Sequence, residues 1–446
     1  MSLPRYPHYK DSDSWLEQVP SDWDVARLMR VASVNDGVLP ESTEPSFELE
    51  YVDIGSVSLD RGVERTERMA FSDAPSRARR LVEDGDILVS TVRTYLKAIA
   101  PVANPPENLV VSTGFAVVRP HSRLASGYAK YALQATGFVD EVISRSTGVS
   151  YPAINASDLV RICVPIPPPV DQTTIAVFLD RETAKIDALI AEQEKLITLL
   201  AEKRQATISH AVTRGLSPNA PIKDSGVTWL GKVPANWEAL ALKHLCELLK
   251  DGTHLPPARV EEGVPLLSVR NIDESVFGFR EDDSRISADD YAELCRAFVP
   301  QAGDVLMATV GATLGKVAIV PDGLGRFHIQ RSLAIFRTRA ALLPQWLFYC
   351  ISSDAFQRQL WERVGFSAQP GIYLGTIQSF KMPVPDTEEQ RAICAFLDAE
   401  VARLDQLKQD SERGVSLLKE RRSALIAAAV TGQIDVRGAI AAEAIP

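Results

Sequence analysis

Two short motifs in this chain carry residue types that could support catalysis, and each lacks a component that the chemistry needs. The first is Asn104-Pro105-Pro106-Glu107. An Asn-Pro-Pro run followed by an aromatic residue can hold an adenine turned out of the DNA stack, because the aromatic face stacks on the base. Glu107 occupies the aromatic position here. We therefore expect a structural turn at this motif and no catalytic role.

The second motif is a glycine-rich run that has the outline of a phosphate-binding loop. Such a loop places four residues between its glycines, and a Ser or Thr after the Lys holds magnesium. Only three residues separate Gly311 from Gly315, and Val317 follows Lys316. This run is also expected to be a structural turn.

The cysteines and acidic residues show no metal-binding pattern. Cys163, Cys246, Cys295, Cys350 and Cys394 are scattered, whereas disulfide frameworks and zinc sites need closely spaced ligands. Isolated cysteines are usually buried, reduced thiols. The sequence has no glycine-rich cofactor fingerprint and no cluster of carboxylates. We expect neither a metal nor a cofactor on this chain.

The bulk composition is that of a soluble globular protein, with 46% apolar and 24% charged residues among 446. No apolar run approaches the roughly 20 residues of a membrane span, and the N-terminus lacks the basic-then-apolar order of a secretory signal. A cytoplasmic location without membrane contact is expected. The net charge of −10 disfavours nucleic-acid binding, unless the DNA-facing surface is locally basic or partner proteins supply most phosphate contacts.

The elements that must position any site are organised as a duplication. Trp15–Pro20 returns 214 residues later as Trp229–Pro234, and Gly85–Val92 returns 218 residues later as Gly303–Val310. The second offset then holds to the end of the copy, through Pro152 and Pro370, Gln172 and Gln390, Phe178–Asp180 and Phe396–Asp398, and Lys203-Arg204 and Arg421-Arg422. The ends and helices of the copies match, while the domain middles diverge. The chain is therefore expected to contain one domain type twice.

Each copy begins with a mixed segment of about 150 residues, in which short β-rich runs such as Asp86–Val92 and Phe115–Val118 alternate with helical stretches such as Ser126–Thr136. A proline cluster then ends the domain, at Pro165–Pro169 in the first copy and Pro383–Pro385 in the second. Proline lacks an amide donor and disfavours helix in the residue before it. A long helix is expected after each cluster.

The two long helices are each expected to run for about 40 residues, or about 60 Å. The second opens with Thr387-Glu388-Glu389-Gln390, which has the spacing of a capping box, and the first has Pro169 near its first turn. A single apolar stripe on each helix needs a partner, and the other copy supplies it. The residues expected to pair the helices are Ile175, Leu179, Ile186, Leu189, Leu196, Leu200 and Ile208 in the first, and Ile393, Leu397, Leu404, Leu407, Val415, Leu418 and Leu425 in the second.

Chain reach gives the orientation of the helices. The linker Thr213–Lys223 spans at most about 35–40 Å, too little to return along a helix of about 60 Å. The helices should therefore be antiparallel, with one domain at each end. The predicted fold is α+β: a tandem duplication of an α/β domain plus a long helix, the helices pairing as an antiparallel coiled coil with pseudo-twofold symmetry. The predicted boundaries are 1–167, 168–213, 214–385, 386–432 and a C-terminal tail at 433–446.

That architecture suits a two-part DNA target. The backbone of B-DNA is twofold symmetric, and proteins that read two half-sites place matching domains about one helical turn, or about 34 Å, apart. A duplicated chain with a fixed helical spacer reproduces this dyad in one polypeptide. Because the domain middles differ, the site is expected to be asymmetric.

Several segments also form a family pattern: Gly85–Arg93, Val164–Gln172, Ile175–Ile190, Asp251–His254, Gly303–Val310, Met382–Gln390, Ile393–Leu407 and Arg421–Val436. In these segments the chain resembles the specificity subunit of type I restriction-modification systems. The resemblance covers nearly the whole length. Its most specific part is the proline–acid–Gln junction before each helix, with Asp171 in the first copy and Glu389 in the second.

The resemblance implies a recognition scaffold that does no chemistry. Two target-recognition domains would each read half of a bipartite site in double-stranded DNA. The helical spacers and adjoining surfaces would recruit two methyltransferase subunits, which methylate adenine with S-adenosylmethionine, and in the full complex two restriction subunits. The chain would supply differential binding energy, about 1–3 kcal/mol for each good base contact. Its partners would supply many phosphate contacts, which answers the objection from net charge.

Base-reading residues are expected to be Arg, Lys, Asn, Gln and aromatic residues on exposed loops. The candidates are Arg77, Arg79, Arg80, Arg93, Tyr95, Lys97, Ser150 and Tyr151 in the first domain, and His254, Arg270, Asn271, Arg326, His328, Arg331 and Gln369 in the second. His254 has the best support, since Asp251–His254 belongs to the family pattern. Four tryptophans are instead expected in the core: Trp15, Trp23, Trp229 and Trp237.

Two other functions fit part of the pattern. The chain could be the recognition half of a split methyltransferase-nuclease system, although the sequence carries no catalytic motif that would accompany such a protein. It could also be a helical assembly scaffold that does not read DNA. In that case, changing Arg93 and His254 together to alanine would leave DNA methylation unchanged.

Overall fold

The computed structural model describes residues 3–364 and 370–439, which form two compact units. The first unit comprises the chain up to Glu194 together with the chain from Glu412 onward, and the second comprises Lys195–Ser411. Both boundaries fall inside the long helices. Each unit therefore contains one α/β domain, the beginning of the helix that follows it and the end of the other long helix.

The strands of the first unit are β1 (Tyr9–Asp11), β2 (Gln18–Pro20), β3 (Asp24–Arg27), β4 (Ala32–Val34), β5 (Glu48–Val52), β6 (Val57–Ser58), β7 (Gly62–Val63), β8 (Glu67–Ala70), β9 (Ala78–Leu81), β10 (Ile87–Ser90), β11 (Ile99–Pro101), β12 (Leu109–Ser112), β13 (Phe115–Pro120) and β14 (Cys163–Ile166). Its helices are α1 (Ser126–Gln134), α2 (Thr136–Ser144), α3 (Ala156–Leu159) and the first part of α4 (Pro169–Arg214). One sheet is antiparallel, in the order β11-β10-β13-β4, and another has the order β8-β5-β12-β9 with β5 and β12 parallel.

The strands of the second unit are β15 (Ile222–Asp224), β16 (Lys232–Pro234), β17 (Glu238–Ala241), β18 (Cys246–Asp251), β19 (Val264–Leu267), β20 (Ile272–Asp273), β21 (Val276–Phe277), β22 (Arg285–Ile286), β23 (Val305–Ala308), β24 (Val317–Ile319), β25 (His328–Ile329), β26 (Leu333–Thr338) and β27 (Lys381–Val384). Its helices are α5 (Leu242–Leu245), α6 (Ala288–Cys295), α7 (Pro344–Ser352), α8 (Asp354–Glu362), α9 (Leu374–Ser379) and the first part of α10 (Thr387–Val430). Its sheets have the orders β18-β26-β23-β24 and β22-β19-β25.

The two domains share a topology even where their sequences diverge. The antiparallel sheet β11-β10-β13-β4 corresponds to β24-β23-β26-β18, and the parallel pair β5 and β12 corresponds to β19 and β25. The edge pairs β3 with β14 and β17 with β27 close each domain before its long helix. The predicted α+β duplication is therefore confirmed, and it extends through the divergent middles.

A buried Asp–Arg pair at the end of the repeated strand explains why the Gly-Asp motif occurs twice. Arg119 donates from Nε and Nη2 to the two carboxylate oxygens of Asp86 at 2.8 Å each. Arg337 makes the same two bonds, also at 2.8 Å, to Asp304. Both carboxylates are fully buried, and the hydrogen bonds that they accept raise the pKa of each guanidinium above its ordinary value. The motif is structural.

The glutamine of each junction ties the start of a long helix to its domain. Gln172 accepts from the amide of Ala125 at 2.8 Å and donates to the carbonyls of Arg123 and Pro167 at 2.9 Å. Gln390 makes the same three bonds, accepting from Leu343 and donating to Ala341 and Pro385, at the same distances. The direction in which each helix leaves its domain is therefore fixed by one side chain.

The predicted capping box at Thr387–Gln390 is wrong, because the side chain of Gln390 does not cap the start of α10. Its side chain is occupied by the domain, and the amide of Glu389 donates instead to the carboxylate of Asp386 at 2.8 Å. Asp386 thus caps α10, one residue before the Thr387 that the spacing favoured. The first long helix begins at Pro169, as predicted.

Within each unit the two helical segments run antiparallel, as the linker length predicted. In the first unit Arg422 of α10 donates to Asp187 of α4 at 2.8 Å, and Arg437, beyond the end of α10, lies 3.9 Å from Asp171 at the start of α4. The residue number rises along one segment as it falls along the other.

In the second unit Arg204 of α4 donates to Asp405 of α10 at 3.0 Å. Gly215, just after α4, lies next to Glu389 at the start of α10. The direction of the pair is therefore the same as in the first unit.

The predicted apolar seam is only partly buried. Ile175, Leu179, Ile186, Leu200, Ile208, Ile393, Leu397 and Leu404 are buried, and Val415, Leu418 and Leu425 are half-buried. The prediction is wrong for Leu189, Leu196 and Leu407, whose side chains are 53%, 41% and 41% exposed. A straight α-helix drifts by about 20° per heptad against a 3.5-residue repeat, so heptad spacing does not hold one stripe against the partner along a helix this long.

The core of each unit includes the end of the other copy's helix. Trp23 and Tyr128 are buried in the first unit together with Ile426 and Val430 of α10 and Val436 beyond it. Ile208, Ala211 and Val212 of α4 join Trp237 in the core of the second unit. Trp15 and Trp229 are partly buried against the same two cores. The tryptophans are core residues, as predicted.

None of the helices in the described part of the chain is long and apolar enough to cross a membrane. Across residues 3–364 and 370–439, no group of three or more His, Cys, Asp or Glu side chains is placed to hold a metal ion. All five cysteines are free, three of them buried and two, Cys163 and Cys295, partly covered.

Candidate nucleic-acid interface

Two loops beyond the end of β10 form the most prominent cluster of candidate residues in the first unit. Residues 91–98 contain a short 3-10 turn, Thr94–Leu96, between Arg93 and Lys97, which both have left-handed backbone angles (φ 49° and 53°). Left-handed conformations cost about 1–2 kcal/mol for residues other than glycine, and such strain is concentrated at functional sites. The turn places Arg93, Tyr95 and Lys97 at the surface.

The second loop, residues 145–154, is bonded to the first. Thr147 and Ala153 exchange backbone hydrogen bonds at 2.9 Å, Ile154 donates to the carbonyl of Thr91 at 2.9 Å, and the hydroxyls of Thr94 and Ser146 lie 2.8 Å apart. These bonds hold the tip residues Val149, Ser150 and Tyr151 above the turn. Val149 is fully exposed and Tyr151 is 65% exposed.

Arg93 and Tyr151 join the two loops. The guanidinium carbon of Arg93 lies 4.9 Å from the centre of the Tyr151 ring, a cation–π contact. Arg93 has no acidic partner in the part of the chain that the structure describes, so its donors face outward.

A concave pocket of 450 Å³ lies beside Arg93 and is also lined by Arg77, Asp53, Ser112 and Thr113. Arg77 donates to the Tyr51 hydroxyl and to Asp53, both at 3.0 Å, and these contacts raise the pKa of its guanidinium. Arg77 is therefore held in place by two hydrogen bonds, and Arg93 by its contact with the Tyr151 ring. Together they form a cationic recess with hydroxyl groups on its wall.

In the second unit the exposed candidate loop is Asp251–His254, which follows β18 and not β23, the strand that corresponds to β10. Thr253 donates to the carbonyl of Ile329 at 3.0 Å and accepts from the amide of Arg331 at 3.1 Å. A Cβ at Gly252 would lie 2.3 Å from the same Ile329 carbonyl, so only glycine allows this approach. Nε2 of His254 lies 2.6 Å from the carboxylate of Asp251.

This arrangement presents a histidine–carboxylate pair and a cation side by side. His254 and Arg331 are exposed, and Leu255, next along the loop, is 88% exposed. The mixture of donor, acceptor and apolar surface differs from the cationic recess of the first unit.

The two repeated domains match a family model. The model described as the type I restriction modification DNA specificity domain matches residues 20–199 and again residues 234–413. The chain belongs to this family. It is a type I restriction-modification specificity subunit, and its function is DNA target recognition.

Curated relatives and solved structures agree with this assignment. The MjaVIII specificity subunit of Methanocaldococcus jannaschii is 25% identical over 308 residues, which is 66% of this chain and 67% of that protein. The putative MjaX specificity subunit of the same organism is 24% identical over 439 residues, 94% of this chain and 95% of that one. A structure solved in work on assembly and conformational transition of the type I R-M system has a TM-score of 0.67 at 24% identity, and the match covers 92% of this chain and 98% of that chain, which supports the fold.

Two of the candidate base contacts in this specificity subunit are wrong because the residues are buried. Asn271 donates to the carbonyl of Gly278 at 3.0 Å and to Asp283, and its side chain caps a short turn. His328 lies in β25, stacks on Phe298 with ring centres 4.6 Å apart, and has Nε2 3.2 Å from the Phe298 carbonyl. Both side chains therefore pair with polar groups inside the domain.

The remaining candidates differ in what their side chains contact and where they lie. Arg79 covers the Phe71 ring at 4.7 Å, Arg80 is half-buried, and Arg270 pairs with Asp282 and Asp283. Arg326 lies two residues before β25 and Arg331 two residues after it, so the strand separates them. Gln369 lies outside the described residues.

The two motifs that resemble catalytic sequences, Gly311–Lys316 and Asn104–Glu107, form structural turns in the specificity subunit. At the glycine-rich run, the amide of Gly315 donates to the Ala308 carbonyl at 2.9 Å and that of Lys316 donates to Thr313 at 3.0 Å. These amides are therefore not available to a phosphate. At the other motif, the amide of Asn104 donates to Asp84 at 2.6 Å.

Sequence reasoning missed several residues of the first site. Asp53, Ser112 and Thr113 line the recess with Arg77 and Arg93 although they are far apart in the chain. The parallel pairing of β5 with β12 and the antiparallel pairing of β12 with β9 bring them together. The exposed tips Val149 and Leu255 carried a usable signal, since each is an apolar residue inside a polar loop that contains other candidates.

The burial of His328 makes the stability of the second unit depend on pH. Burial lowers the pKa of His328 below its ordinary value, so the folded chain keeps the neutral form while the unfolded chain takes up a proton below about pH 6.5. The stabilisation is therefore complete above that pH and declines as the pH falls. We expect His328→Gln to reduce the loss in urea midpoint between pH 7.5 and pH 5.5.

An exposed histidine provides the control. His8→Gln should retain the full loss, because His8 is exposed in the first unit. An equal pH dependence in wild type and His328→Gln would show that another group is responsible.

Proposed function

We propose that this specificity subunit reads a bipartite DNA sequence, with one domain contacting each half, and positions methyltransferase subunits on it without doing chemistry itself. The observation that carries the proposal is the pair of exposed loop clusters, one in each unit, which differ in position and in side chains: the first follows β10, and the second follows β18 and β25. Arg93 and Tyr151 mark the first, and His254 and Arg331 mark the second. A shared frame with different contact surfaces suits an asymmetric site.

The chemistry of the first cluster favours guanine. Arginine reads guanine through two donors to O6 and N7 in the major groove. Arg93 presents an unpaired guanidinium supported by Tyr151, and Arg77 presents one that is already positioned by Asp53. A preorganised donor loses little conformational entropy on binding.

The second cluster has the groups for a mixed base pair. Asp251 can accept from the exocyclic amine of cytosine, and Arg331 can donate to guanine. His254 lies next to Asp251 and holds that carboxylate in place. This difference supports a different half-site for each domain.

Local charge answers the objection from the net charge. Arg93 and Arg77 line the first recess and Lys97 is exposed in the adjoining loop, while the partner subunits would provide phosphate contacts that this acidic chain lacks. Duplex DNA is thus the nucleic-acid partner.

Partner docking is proposed on the paired helices. Leu189 and Leu417 are exposed in the first unit, and Leu196, Leu199 and Leu407 in the second. Exposed leucines on a helix pair suit an apolar protein surface. One such surface in each unit supports two methyltransferase subunits, which would bind S-adenosylmethionine themselves, and two restriction subunits in the full complex. We keep the predicted functional division at 1–167, 168–213, 214–385 and 386–432, with a C-terminal tail at 433–446.

Changing the helical spacer tests the bipartite reading. Inserting seven residues after Lys195 and seven after Arg413 keeps the heptad register in both helices and lengthens each by about 10 Å. Modified adenines in cells that carry the altered chain should lie in the same two half-sites, with the gap wider by about 3 base pairs at 3.4 Å each.

The matched control is an insertion in only one helix, which should abolish methylation because the helix pair loses register. A gap that does not change after the paired insertion would refute the role of the helices as a spacer. Loss of all methylation in cells without the chain would confirm that the methyltransferase needs it.

A further inference from the structure

Each unit has a pocket at its repeated Trp-Leu segment, and the two pockets have diverged in a way that the DNA-reading function does not require. The pocket of the second unit has a volume of 700 Å³ and lies between Trp229, helix α8 and strand β27. The pocket of the first unit, 860 Å³, is lined by Trp15, helix α2 and strand β14 at the corresponding positions. Differences between the two linings therefore show which features are specific to the pocket of the second unit.

The indole of Trp15 is fully accommodated in the first unit. Its Nε1 donates to the carbonyl of Cys163 at 2.9 Å. The ring lies directly on Gly137, where an added Cβ would be only 2.1 Å from a ring carbon. The glycine therefore permits this position of the indole.

The second unit has Ala355 where the first has Gly137. The extra methyl group excludes the same ring position, and Trp229 packs instead edge-on against Phe356, with ring centres 6.1 Å apart. As a result the buried Nε1 of Trp229 has no hydrogen-bond partner in the described part of the chain. Leaving a buried donor unpaired is unfavourable, and a ligand acceptor would remove that cost.

An unpaired acceptor lines the same pocket. Oε1 of Gln359 has no partner among the described residues, and its side chain is only 9% exposed. The corresponding residue of the first unit is Glu141, whose carboxylate accepts from Arg145 at 2.8 Å. Arg363 corresponds to Arg145. Because Gln359 replaces the glutamate, Arg363 lacks this carboxylate partner, and its guanidinium lies instead over the Phe380 ring at 5.7 Å.

The lining of the second pocket is more positive than that of the first. Asp11, Asp13, Glu17 and Glu141 correspond to Ser225, Val227, Gly231 and Gln359, and Cys163 corresponds to Lys381, whereas Arg27 and Arg161 are lost and Glu362 is gained. The first lining thus holds four acids and three arginines, and the second holds three cations and one acid. Lys381 and Arg363 are exposed at the pocket.

We propose that the pocket of the second unit binds an acidic peptide segment of a partner protein. A peptide group offers a carbonyl to the Trp229 N–H and an N–H to Gln359 Oε1, and acidic side chains meet Arg363 and Lys381. Arg358, on the same rim, already pairs with Asp354 at 2.7 Å. A nucleic-acid phosphate fits less well, because it has only acceptors and would oppose Gln359 Oε1. The first unit does not offer this site, since its indole donor is bonded and its lining carries one more acid than cation.

Peptide binding to the full chain tests the proposal. The probe is a fluorescein-labelled octapeptide of alternating Glu and Ala, and the control probe has Lys in place of Glu. We expect the Glu peptide to raise the fluorescence anisotropy and the Lys peptide to leave it unchanged. Lys381→Glu should weaken Glu-peptide binding by about five- to tenfold, while Cys163→Glu, the matched change in the first unit, should not alter it.

Two further readouts separate this site from general charge attraction. The indole N–H signal of Trp229, assigned with Trp229→Phe, should shift downfield in the NMR spectrum when the Glu peptide is added. Ala355→Gly should weaken binding, because it lets the indole reach the carbonyl of Lys381. Equal binding of both peptides, an unmoved Trp229 signal or displacement of the peptide by duplex DNA would overturn the proposal. Lys381→Glu should leave sequence-selective DNA binding within about twofold, so this result is independent of the proposed reading function.

Discussion

Replacing Asp304 with alanine is expected to lower the free energy of unfolding of the second unit by about 3–5 kcal/mol, the cost of leaving a buried ionic partner uncompensated. Asp304 is buried and holds Arg337 through two bonds of 2.8 Å. It also accepts from the amide of Gln301 at 2.7 Å. One substitution therefore removes three hydrogen bonds and strands a guanidinium next to the central strand β23.

The measurement is a urea titration of the full chain combined with hydrogen exchange of β23 and β26. Glu293→Ala is the matched control, because Glu293 forms an exposed pair with Arg296 at 2.7 Å and such pairs contribute about 0–1 kcal/mol. The double variant Asp304→Ala with Arg337→Met should recover part of the loss, since no charge is then left unpaired. Equal effects for Asp304→Ala and the control would show that the pair is not a stabilising core element.

Replacing Arg93 with alanine is expected to weaken binding of the methyltransferase-loaded subunit to its DNA site by about 10- to 100-fold, which is 1–3 kcal/mol for a bidentate base contact. The variant should also relax the sequence preference in one half-site only. His254→Ala should relax the other half-site. Competition binding with single-base variants of the DNA site measures both effects.

Arg68→Ala controls for the loss of a positive charge in the first unit, because Arg68 is exposed and already paired with Glu48. It should change affinity little and uniformly across DNA sequences. The combination of Arg93→Ala and His254→Ala should abolish selective methylation. Unchanged methylation in this double variant would instead favour the scaffold that does not read DNA.

The sequence alone predicted those parts of the fold that occur in both copies. The matched junctions at Gln172 and Gln390 located both helices, and the short linker gave their antiparallel direction. The sequence could not show that each helix is shared between two cores, because burial of Val430 beside Trp23 depends on contacts more than 400 residues apart. Helical drift was likewise invisible in the heptad spacing, and it left Leu189 exposed.

The candidate interface could be predicted only in outline. The loop after the repeated strand gave Arg93, since exposure at a strand end is a local property, and the family pattern gave His254. Whether a polar side chain faces solvent or fills a core is a tertiary property, and for this reason Asn271 and His328 were misassigned. Recess residues such as Asp53 come together only through strand pairing that the divergent middles conceal.

The contribution of α10 to the first core has a consequence for biosynthesis. Ile426, Val430 and Val436 belong to that core, whereas the second unit needs nothing beyond Ser411. During synthesis, the first unit therefore cannot complete the core around Trp23 until almost the entire chain has emerged from the ribosome. The later half can close before the earlier one, so a nascent chain has most need of chaperone protection near its beginning.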